Sequence, residues 1–349
     1  MPLLTTTIGA YPKPASVRIP DWFDPGAMDS SVATRDYMAA IERLGAEAEQ
    51  IIAGGVRQVI EDQVACGIDI PTDGEVRREN YVHYHCRHLD GFDFENLTHR
   101  VLRGGAYEAD LPTVRGPVTA RAPFLPADWN LAQGFTDRPV KITLPGPMTI
   151  ADTTADAFYD DPEALGRDLA AALNKEVLAL AAAGCTHIQI DEPLFARKPR
   201  EALAYGIAHI ERCWQDVPEG VVKTLHMCCG YPNRLDDENY AKADPGAYRE
   251  LADAVNASVV DAVSLEDAHR HNDLSLLDRF GDTTVIFGVI AIARSRVETV
   301  EEVRERLQAA LQHLPPERLI AAPDCGLGHL GRDLAMQKLR VLSEAAKSV

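Results

Sequence analysis

Short apolar segments rich in branched residues recur along the chain, and each ends in polar residues, glycine or proline. This pattern predicts β-strands. Eight such segments are present, at residues 3–9, 68–73, 140–144, 187–191, 222–228, 262–266, 284–290 and 319–322. Between them lie segments whose apolar residues have helical spacing, most clearly at 35–65, 162–183, 297–314 and 334–347.

Strands that alternate with helices indicate βαβ units and an α/β fold with a parallel sheet. Eight such units predict a closed (β/α)8 TIM barrel, with an open doubly wound sheet as the alternative. We expect a single catalytic domain over residues 1–349. The connection at residues 76–138 is too long for simple alternation, so we interpret it as an insertion after the second strand that forms a hairpin over one end of the barrel.

Composition narrows the functional classes. The formal charge of −18 repels phosphate groups, which argues against nucleic acid or an anionic membrane as a partner. No apolar segment reaches the roughly 20 residues of a membrane helix, and the first residues do not resemble an export signal. The seven cysteines are scattered, which favours a reducing compartment over a disulfide framework. We therefore expect a cytoplasmic protein.

The predicted strand ends carry the reactive side chains. In a barrel the carboxyl ends of the strands build the active site, so residues far apart in sequence meet there. His226 and Cys228 are two residues apart on a strand and share a face, and Cys325 follows another strand. Together they offer one nitrogen and two sulfur ligands for zinc, and Glu266 could add an oxygen or leave the fourth position to a substrate. The alternative is that the cysteines are buried core thiols and the histidine is a satisfied polar residue.

Two further observations leave choices open. Glu75 and Asp191 also end predicted strands and could bind a substrate ammonium group, or they could be turn residues. A second dense group of possible ligands follows Glu75, and it could bind metal, line a pocket or pack in the core; it consists of His83, His85, Cys86 and His88.

Seven motifs give the chain a resemblance to a known family. They are residues 6–12 (TTIGAYP), 73–75 (DGE), 144–149 (LPGPMT), 189–193 (QIDEP), 226–228 (HMC), 264–266 (SLE) and 323–327 (PDCGL). In this order, over almost the whole chain, they resemble the catalytic half of cobalamin-independent methionine synthase. The resemblance implies a (β/α)8 barrel that methylates homocysteine.

The resemblance also implies roles for individual residues. Zinc would be bound by His226, Cys228, Glu266 and Cys325. The homocysteine carboxylate would contact Ile8, Gly9 and Ala10, where Ala10 replaces the family's usual serine. The homocysteine ammonium would contact Glu75 and Asp191.

Three positions depart from the family in the part that binds the methyl donor. Thr153 stands where the family has a folate-stacking tryptophan, Arg197 where it has a folate-binding acid, and Ala293 close to its catalytic histidine. The chain also has no counterpart of the family's additional N-terminal half. We therefore expect a donor other than polyglutamyl methyltetrahydrofolate, such as a corrinoid or another methyl carrier, with a corrinoid protein as a possible partner.

These observations lead to one main hypothesis and two alternatives. In the main hypothesis the homocysteine sulfur joins His226, Cys228 and Cys325 on zinc, displaces Glu266, and attacks a methyl group as a thiolate. One alternative is a zinc-dependent thiol alkyltransferase of the epoxyalkane:coenzyme M transferase type, although both candidate ammonium-binding acids are retained. The other alternative is a zinc-binding protein without catalytic activity.

Overall fold

The computed structural model describes residues 2–23, 30–102, 107–232, 234–237 and 240–349. Its strands are β1 (Leu4–Thr5), β2 (Leu89–Leu102), β3 (Tyr107–Ala120), β4 (Lys141–Pro145), β5 (Ala155–Asp156), β6 (His187–Asp191), β7 (Val222–Met227), β8 (Ala262–Glu266), β9 (Thr284–Ile290) and β10 (Leu319–Pro323). Its α-helices are α1 (Ser30–Leu44), α2 (Ala46–Ala65), α3 (His83–Cys86), α4 (Leu125–Gln133), α5 (Pro147–Asp152), α6 (Pro162–Ala183), α7 (Pro193–Arg197), α8 (Pro199–Glu201), α9 (Ile207–Cys213), α10 (Ala247–Asn256), α11 (Val300–Ala310) and α12 (Arg332–Lys347). The structure also contains a short π-helix (Ala202–Gly206) and two 3₁₀ helices (Leu274–Arg279 and Pro316–Arg318).

The main sheet is parallel and curled. Its seven strands run in the order β1-β10-β9-β8-β7-β6-β4. The two outer strands approach one intervening segment, because Thr6 bridges Ile70 and Thr72 bridges Lys141. The predicted strand at residues 68–73 therefore lies between the two edges of the sheet, but it forms only these isolated bridges. Pro71 has no backbone N–H and cannot donate a hydrogen bond to a neighbouring strand, which accounts for the irregular pairing of this segment.

The remaining predicted strands of the main sheet are present, and all except β1 agree with the predicted bounds to within one residue at either end. The strands β6, β8 and β9 have the predicted bounds, whereas β1 is reduced to two residues. The predicted helix at 35–65 is two helices, because Gly45 between them has φ +53° and ψ −129°. This left-handed region favours glycine and is incompatible with a continuous helix. The fold is thus α/β and barrel-like, as the alternation of elements predicts.

The long connection before β4 contains an antiparallel hairpin. The strands β2 and β3 pair from Leu89 with Ala120 to Leu102 with Tyr107, and β3 also pairs with the short strand β5. Residues 103–106 of the expected insertion lie outside the described residues. A hairpin is therefore present in this connection, whereas its placement as an insertion over one end of the barrel stays a prediction.

Two apolar layers hold the sheet in place. The larger core lies between the outer face of the sheet and the helices and includes most of the buried aliphatic side chains. A smaller cluster joins Ile8, Ala262, Ile286 and Ala322 from neighbouring strands and the β1 loop. These four residues are almost completely buried and form a second, smaller apolar core.

The described residues include no helix that is both long and apolar enough to span a membrane.

Candidate metal centre and substrate pocket

Three of the predicted zinc ligands meet at the carboxyl ends of two strands. His226 lies on β7, Cys228 directly follows it, and Cys325 follows β10. Their ligand atoms all lie within 4.8 Å of one another, and the Cys325 Sγ is 3.5 Å from the His226 Nε2. Both cysteines are free thiols; Cys228 is buried and Cys325 is partly buried. An imidazole nitrogen and two thiols at this spacing form a donor set that suits zinc.

The neighbours of His226 orient its ring. Its Nδ1 is hydrogen bonded to the Ser264 Oγ on β8 at 2.9 Å, which leaves Nε2 facing Cys325. A partner of this kind on the second ring nitrogen typically fixes a metal-binding histidine. A hydrogen bond from Cys325 and the neighbouring His226 hold the pKa of the Cys228 thiol well below its usual value, while the same pairing and burial raise the pKa of Cys325. One of the two thiols is therefore readily deprotonated.

Glu266 lies beside this group but not within it. Among the described residues its carboxylate groups with His269 and Asp324 instead. Burial, followed by the nearby charge of Cys228, raises the pKa of Glu266 well above its usual value. The three-ligand group therefore does not include Glu266 in this arrangement.

Asp324 ties the Cys325 loop to the loop after β8. Its carboxylate accepts hydrogen bonds from the backbone N–H groups of Asp267, Ala268 and His269, at 2.8–2.9 Å. It also pairs with the His269 Nδ1 at 2.6 Å. These four contacts fix the backbone that carries Cys325 relative to β8.

A pocket opens from the metal-ligand group, and almost all of the predicted site residues line it: Ile8, Gly9, Ala10, Glu75, Asp191, His226, Cys228 and Cys325. Glu266 is not among the described residues that do so. The structure thus brings together side chains from five separate segments of the sequence.

Glu75 is held at the pocket wall by two buried partners. Its Oε1 accepts a hydrogen bond from the Thr143 Oγ1 at 2.8 Å and one from the Arg78 Nη1 at 3.3 Å. Arg78 also donates to the Thr143 hydroxyl and carbonyl oxygens. Burial raises the pKa of Glu75, and the charge of Arg78 opposes that rise.

Asp191 approaches the pocket from β6. Its Oδ1 accepts a hydrogen bond from the Gln189 Nε2 at 2.7 Å. Burial raises its pKa to about 7, with an additional contribution from the charge of Glu75. A substrate ammonium between the two acids would relieve their repulsion and favour the ionised form of both.

The segment of Ile8, Gly9 and Ala10 presents its backbone to the pocket. Its carbonyl groups are used internally, because they accept hydrogen bonds from the Gln189 Nε2, the Thr72 hydroxyl and the Leu327 N–H. The N–H groups of this segment are therefore the donors that a ligand carboxylate could use.

The three departures from the family pattern occupy different surroundings. Thr153 and Arg197 line the pocket. Ala293 is buried, and its N–H donates to the His269 Nε2 at 3.0 Å. It therefore supplies no reactive group to the described part of the pocket.

The rival histidine-rich group does not assemble as a metal site among the described residues. His83 lines the pocket, with its Nε2 hydrogen bonded to the Thr153 carbonyl at 3.2 Å. His88 instead stacks on Phe124 with ring centroids 4.0 Å apart. One histidine of this group thus belongs to the pocket and another to packing.

Aromatic residues that the motifs did not indicate also line the pocket. Trp22 and Phe23 follow β1, and Tyr231 follows β7. The rings of Trp22 and Tyr231 are stacked with centroids 6.2 Å apart, and Trp22 and Phe23 are 4.7 Å apart. The only signal in the sequence is that these aromatics occupy the loops after predicted strands, where pocket residues are expected.

Comparison with known proteins agrees with this geometry. The profile of the family described as "Cobalamin-independent synthase, Catalytic domain" matches residues 3–348. Proteins named methionine synthase from Saccharolobus solfataricus and Sulfolobus acidocaldarius are 31% and 29% identical to the chain. The alignments cover 100% and 97% of this chain and 96% and 89% of those proteins.

A solved structure is similar over the same extent. The B12-independent methionine synthase from Shewanella sp. W3-18-1, solved in complex with selenomethionine, superposes with a TM-score of 0.86 at 30% identity. The superposition covers 100% of this chain and 98% of that one. The chain therefore belongs to the cobalamin-independent methionine synthase family and is a methyltransferase.

Proposed function

We propose that the protein transfers a methyl group to the thiol of homocysteine and so produces methionine. The observation that carries the proposal is the convergence of His226, Cys228 and Cys325 with Glu75 and Asp191 in one pocket. The first three offer ligands for a thiol-activating metal, and the two acids offer a site for the amino group of an amino acid. The relatives named methionine synthase support the same reaction.

The metal in this proposal is zinc, held by His226, Cys228 and Cys325. Burial and then the nearby charge of Cys228 raise the pKa of Glu266, which places Glu266 beside the metal-ligand group. We propose Glu266 as the exchangeable fourth ligand. Bound zinc would supply the positive charge that keeps a substrate thiol deprotonated at neutral pH.

The protein's own residues position the amino acid. Glu75 and Asp191 would accept hydrogen bonds from its ammonium group, and the N–H groups of the Ile8–Ala10 segment would donate to its carboxylate. The substrate thiolate sulfur then forms a bond to the methyl carbon, the bond from that carbon to the donor breaks, and its electron pair stays on the donor. Much of the rate enhancement comes from holding sulfur and methyl carbon at attack distance.

We propose that the methyl donor is not polyglutamyl methyltetrahydrofolate. Thr153 and Arg197 replace the aromatic and acidic residues that the family resemblance associates with folate, and the family's catalytic histidine falls close to Ala293. This pattern favours a corrinoid or another methyl carrier as the donor, delivered by a partner protein. The presence of both Glu75 and Asp191 in the pocket disfavours a thiol without an amino group, such as coenzyme M.

The finer architecture and location complete the proposal. We propose that the segment at 68–73 is the eighth strand of a closed (β/α)8 barrel, that residues 76–138 are an insertion in a single domain, and that the enzyme is cytoplasmic.

A donor panel tests the reaction. Homocysteine would be held constant while methyltetrahydrofolate with one or several glutamates, methylcobalamin and an epoxide are supplied in turn, and the products identified by mass. We expect methionine from a donor other than the polyglutamyl folate. An alkylated thiol formed only from the epoxide would contradict the proposal.

X-ray absorption at the zinc edge tests the metal's role independently of the donor. Addition of homocysteine should add a third sulfur to the zinc coordination of the loaded protein. A coordination shell that does not change on addition of homocysteine would argue against thiol activation.

A further inference from the structure

Arg197 is a cation in the pocket that forms no hydrogen bond or ion pair with the described residues. It ends the short helix α7, four residues after Pro193, and it lines the pocket. Its Nε is buried without a hydrogen-bond partner, and none of the described carboxylates pairs with its guanidinium. A guanidinium carries five N–H donors, and buried donors without acceptors cost free energy. A ligand that supplies acceptors there would recover that free energy.

The described acids of the pocket contact residues other than Arg197. Asp152 pairs with Lys198 at 2.6 Å. Glu75 is held by Arg78 and Thr143, and Asp191 by Gln189. The positive charge of Arg197 is therefore not neutralised by the carboxylates that share its pocket.

Arg197 also lies close to the reacting centre. Its charge is one of the influences that lower the pKa of the Cys228 thiol. Thr153, which lines the same pocket, is linked to His83 through its carbonyl oxygen. These are pocket residues that the proposed amino-acid contacts at Glu75, Asp191 and the Ile8–Ala10 segment do not use.

We propose that Arg197 binds an anionic group of the methyl donor, either a carboxylate or a phosphate. This inference rests on the proposed methyl transfer. A planar guanidinium makes two parallel hydrogen bonds to either group, which gives orientation as well as affinity. The acid that the family resemblance places here accepts hydrogen bonds, whereas arginine only donates them, so the hydrogen-bonding polarity of this subsite is reversed. The rings of Trp22, Phe23 and Tyr231 supply an apolar wall for the rest of the donor.

Substitution of Arg197 tests the inference by steady-state kinetics with the donor that the panel identifies. Arg197→Met keeps the length of the side chain and removes its charge, and Arg197→Lys keeps the charge without the planar fork. Arg200→Ala is the matched control, because Arg200 is exposed on α8 and does not line the pocket. In Arg197→Met we expect the KM for the donor to rise about ten- to hundredfold, because a charged hydrogen bond is lost. The KM for homocysteine should stay within about twofold of the wild-type value. Arg197→Lys should be intermediate and Arg200→Ala unchanged.

An anion-binding measurement separates this inference from the proposed reaction. Inorganic phosphate and acetate would be titrated into the zinc-loaded protein by calorimetry and used as inhibitors against the donor. We expect at least one of them to bind wild type and Arg200→Ala but not Arg197→Met, and the stronger of the two identifies a phosphate or a carboxylate donor group.

The outcomes are distinct. If the protein forms no methionine but Arg197 still governs anion binding, the proposed reaction fails and the anion subsite stands. If methionine forms and the donor KM of Arg197→Met is unchanged, or the homocysteine KM rises instead, the subsite assignment is wrong. If neither methionine formation nor Arg197-dependent anion binding is observed, both proposals are wrong.

Discussion

Gly9 lies beside Glu75, the proposed ammonium-binding acid, so Gly9→Ala probes the amino-acid site. A Cβ at Gly9 would lie 2.7 Å from the Glu75 Oε1, 3.4 Å from its Cδ and 3.5 Å from the Thr143 Cγ2. The carboxylate cannot rotate freely to avoid it, because Thr143 and Arg78 both hold it.

The size of the effect follows from these distances. To restore ordinary contact, the carboxylate oxygen must retreat by about 0.7 Å. The hydrogen bond from Thr143, 2.8 Å in length, would then lengthen to the limit of a useful contact. A carboxylate displaced by this distance also moves away from the proposed substrate ammonium, and loss of that charged hydrogen bond costs about 1.5–3 kcal/mol, which corresponds to roughly a ten- to hundredfold rise in the KM for homocysteine. The kcat should change much less, since the metal ligands are not displaced.

The assay is steady-state kinetics at saturating donor, with thermal unfolding to confirm that the variant is folded. Gly54→Ala is the matched control. Gly54 is an exposed residue of α2 whose added Cβ would meet nothing within 4 Å. That control should keep its KM and gain about 0.4–1 kcal/mol of stability, because alanine restricts the unfolded chain. A Gly9→Ala enzyme with wild-type KM for homocysteine would refute the assignment of Glu75.

Three further outcomes are expected. Cys325→Ser should lose most bound zinc and all turnover, measured by metal analysis and methionine formation. The control Cys66→Ser should retain both, because its hydroxyl can still donate to the Met336 carbonyl. Full zinc content in Cys325→Ser would contradict the proposed metal site. Burial raises the pKa of Glu192 from 4.5 to about 8, so the folded state holds a proton that the unfolded state releases, and stability should fall as pH rises between these values. In Glu192→Gln the urea midpoint should depend less on pH over that interval, and an unchanged slope would exclude this group as the source. Thr299→Ala removes the capping box with Glu302 at the start of α11 and should lower the free energy of unfolding by about 1 kcal/mol, whereas no change would show that the cap contributes nothing.

Most strands of the main sheet can be predicted from the sequence, because the patterns that mark a buried strand are local. An apolar strand buried on both faces is a continuous run of branched residues, and its bounds are visible without knowledge of its neighbours. This is why β6, β8 and β9 have the predicted bounds. The segment at 68–73 is the exception, since whether a strand pairs fully depends on the geometry of both neighbours and on a proline that cannot donate.

The candidate ligands are likewise local in origin. His226 and Cys228 share a face because side chains alternate along a strand, and that rule requires no tertiary information. The sequence also places Cys325, Glu75 and Asp191 at the same end of the sheet, because the strands are parallel.

Only the tertiary structure decides which of these groups touch. Strand-end residues can be several ångströms apart or in contact, depending on the loops that follow, and the loop after β8 is fixed by Asp324 rather than by its own sequence. Glu266 therefore groups with His269 and Asp324, although its strand predicts the metal site. In the same way, Arg197 is an ordinary arginine in the sequence. Its significance comes from the contacts of the pocket acids Asp152, Glu75 and Asp191 with residues other than Arg197. Those contacts are a property of the three-dimensional packing.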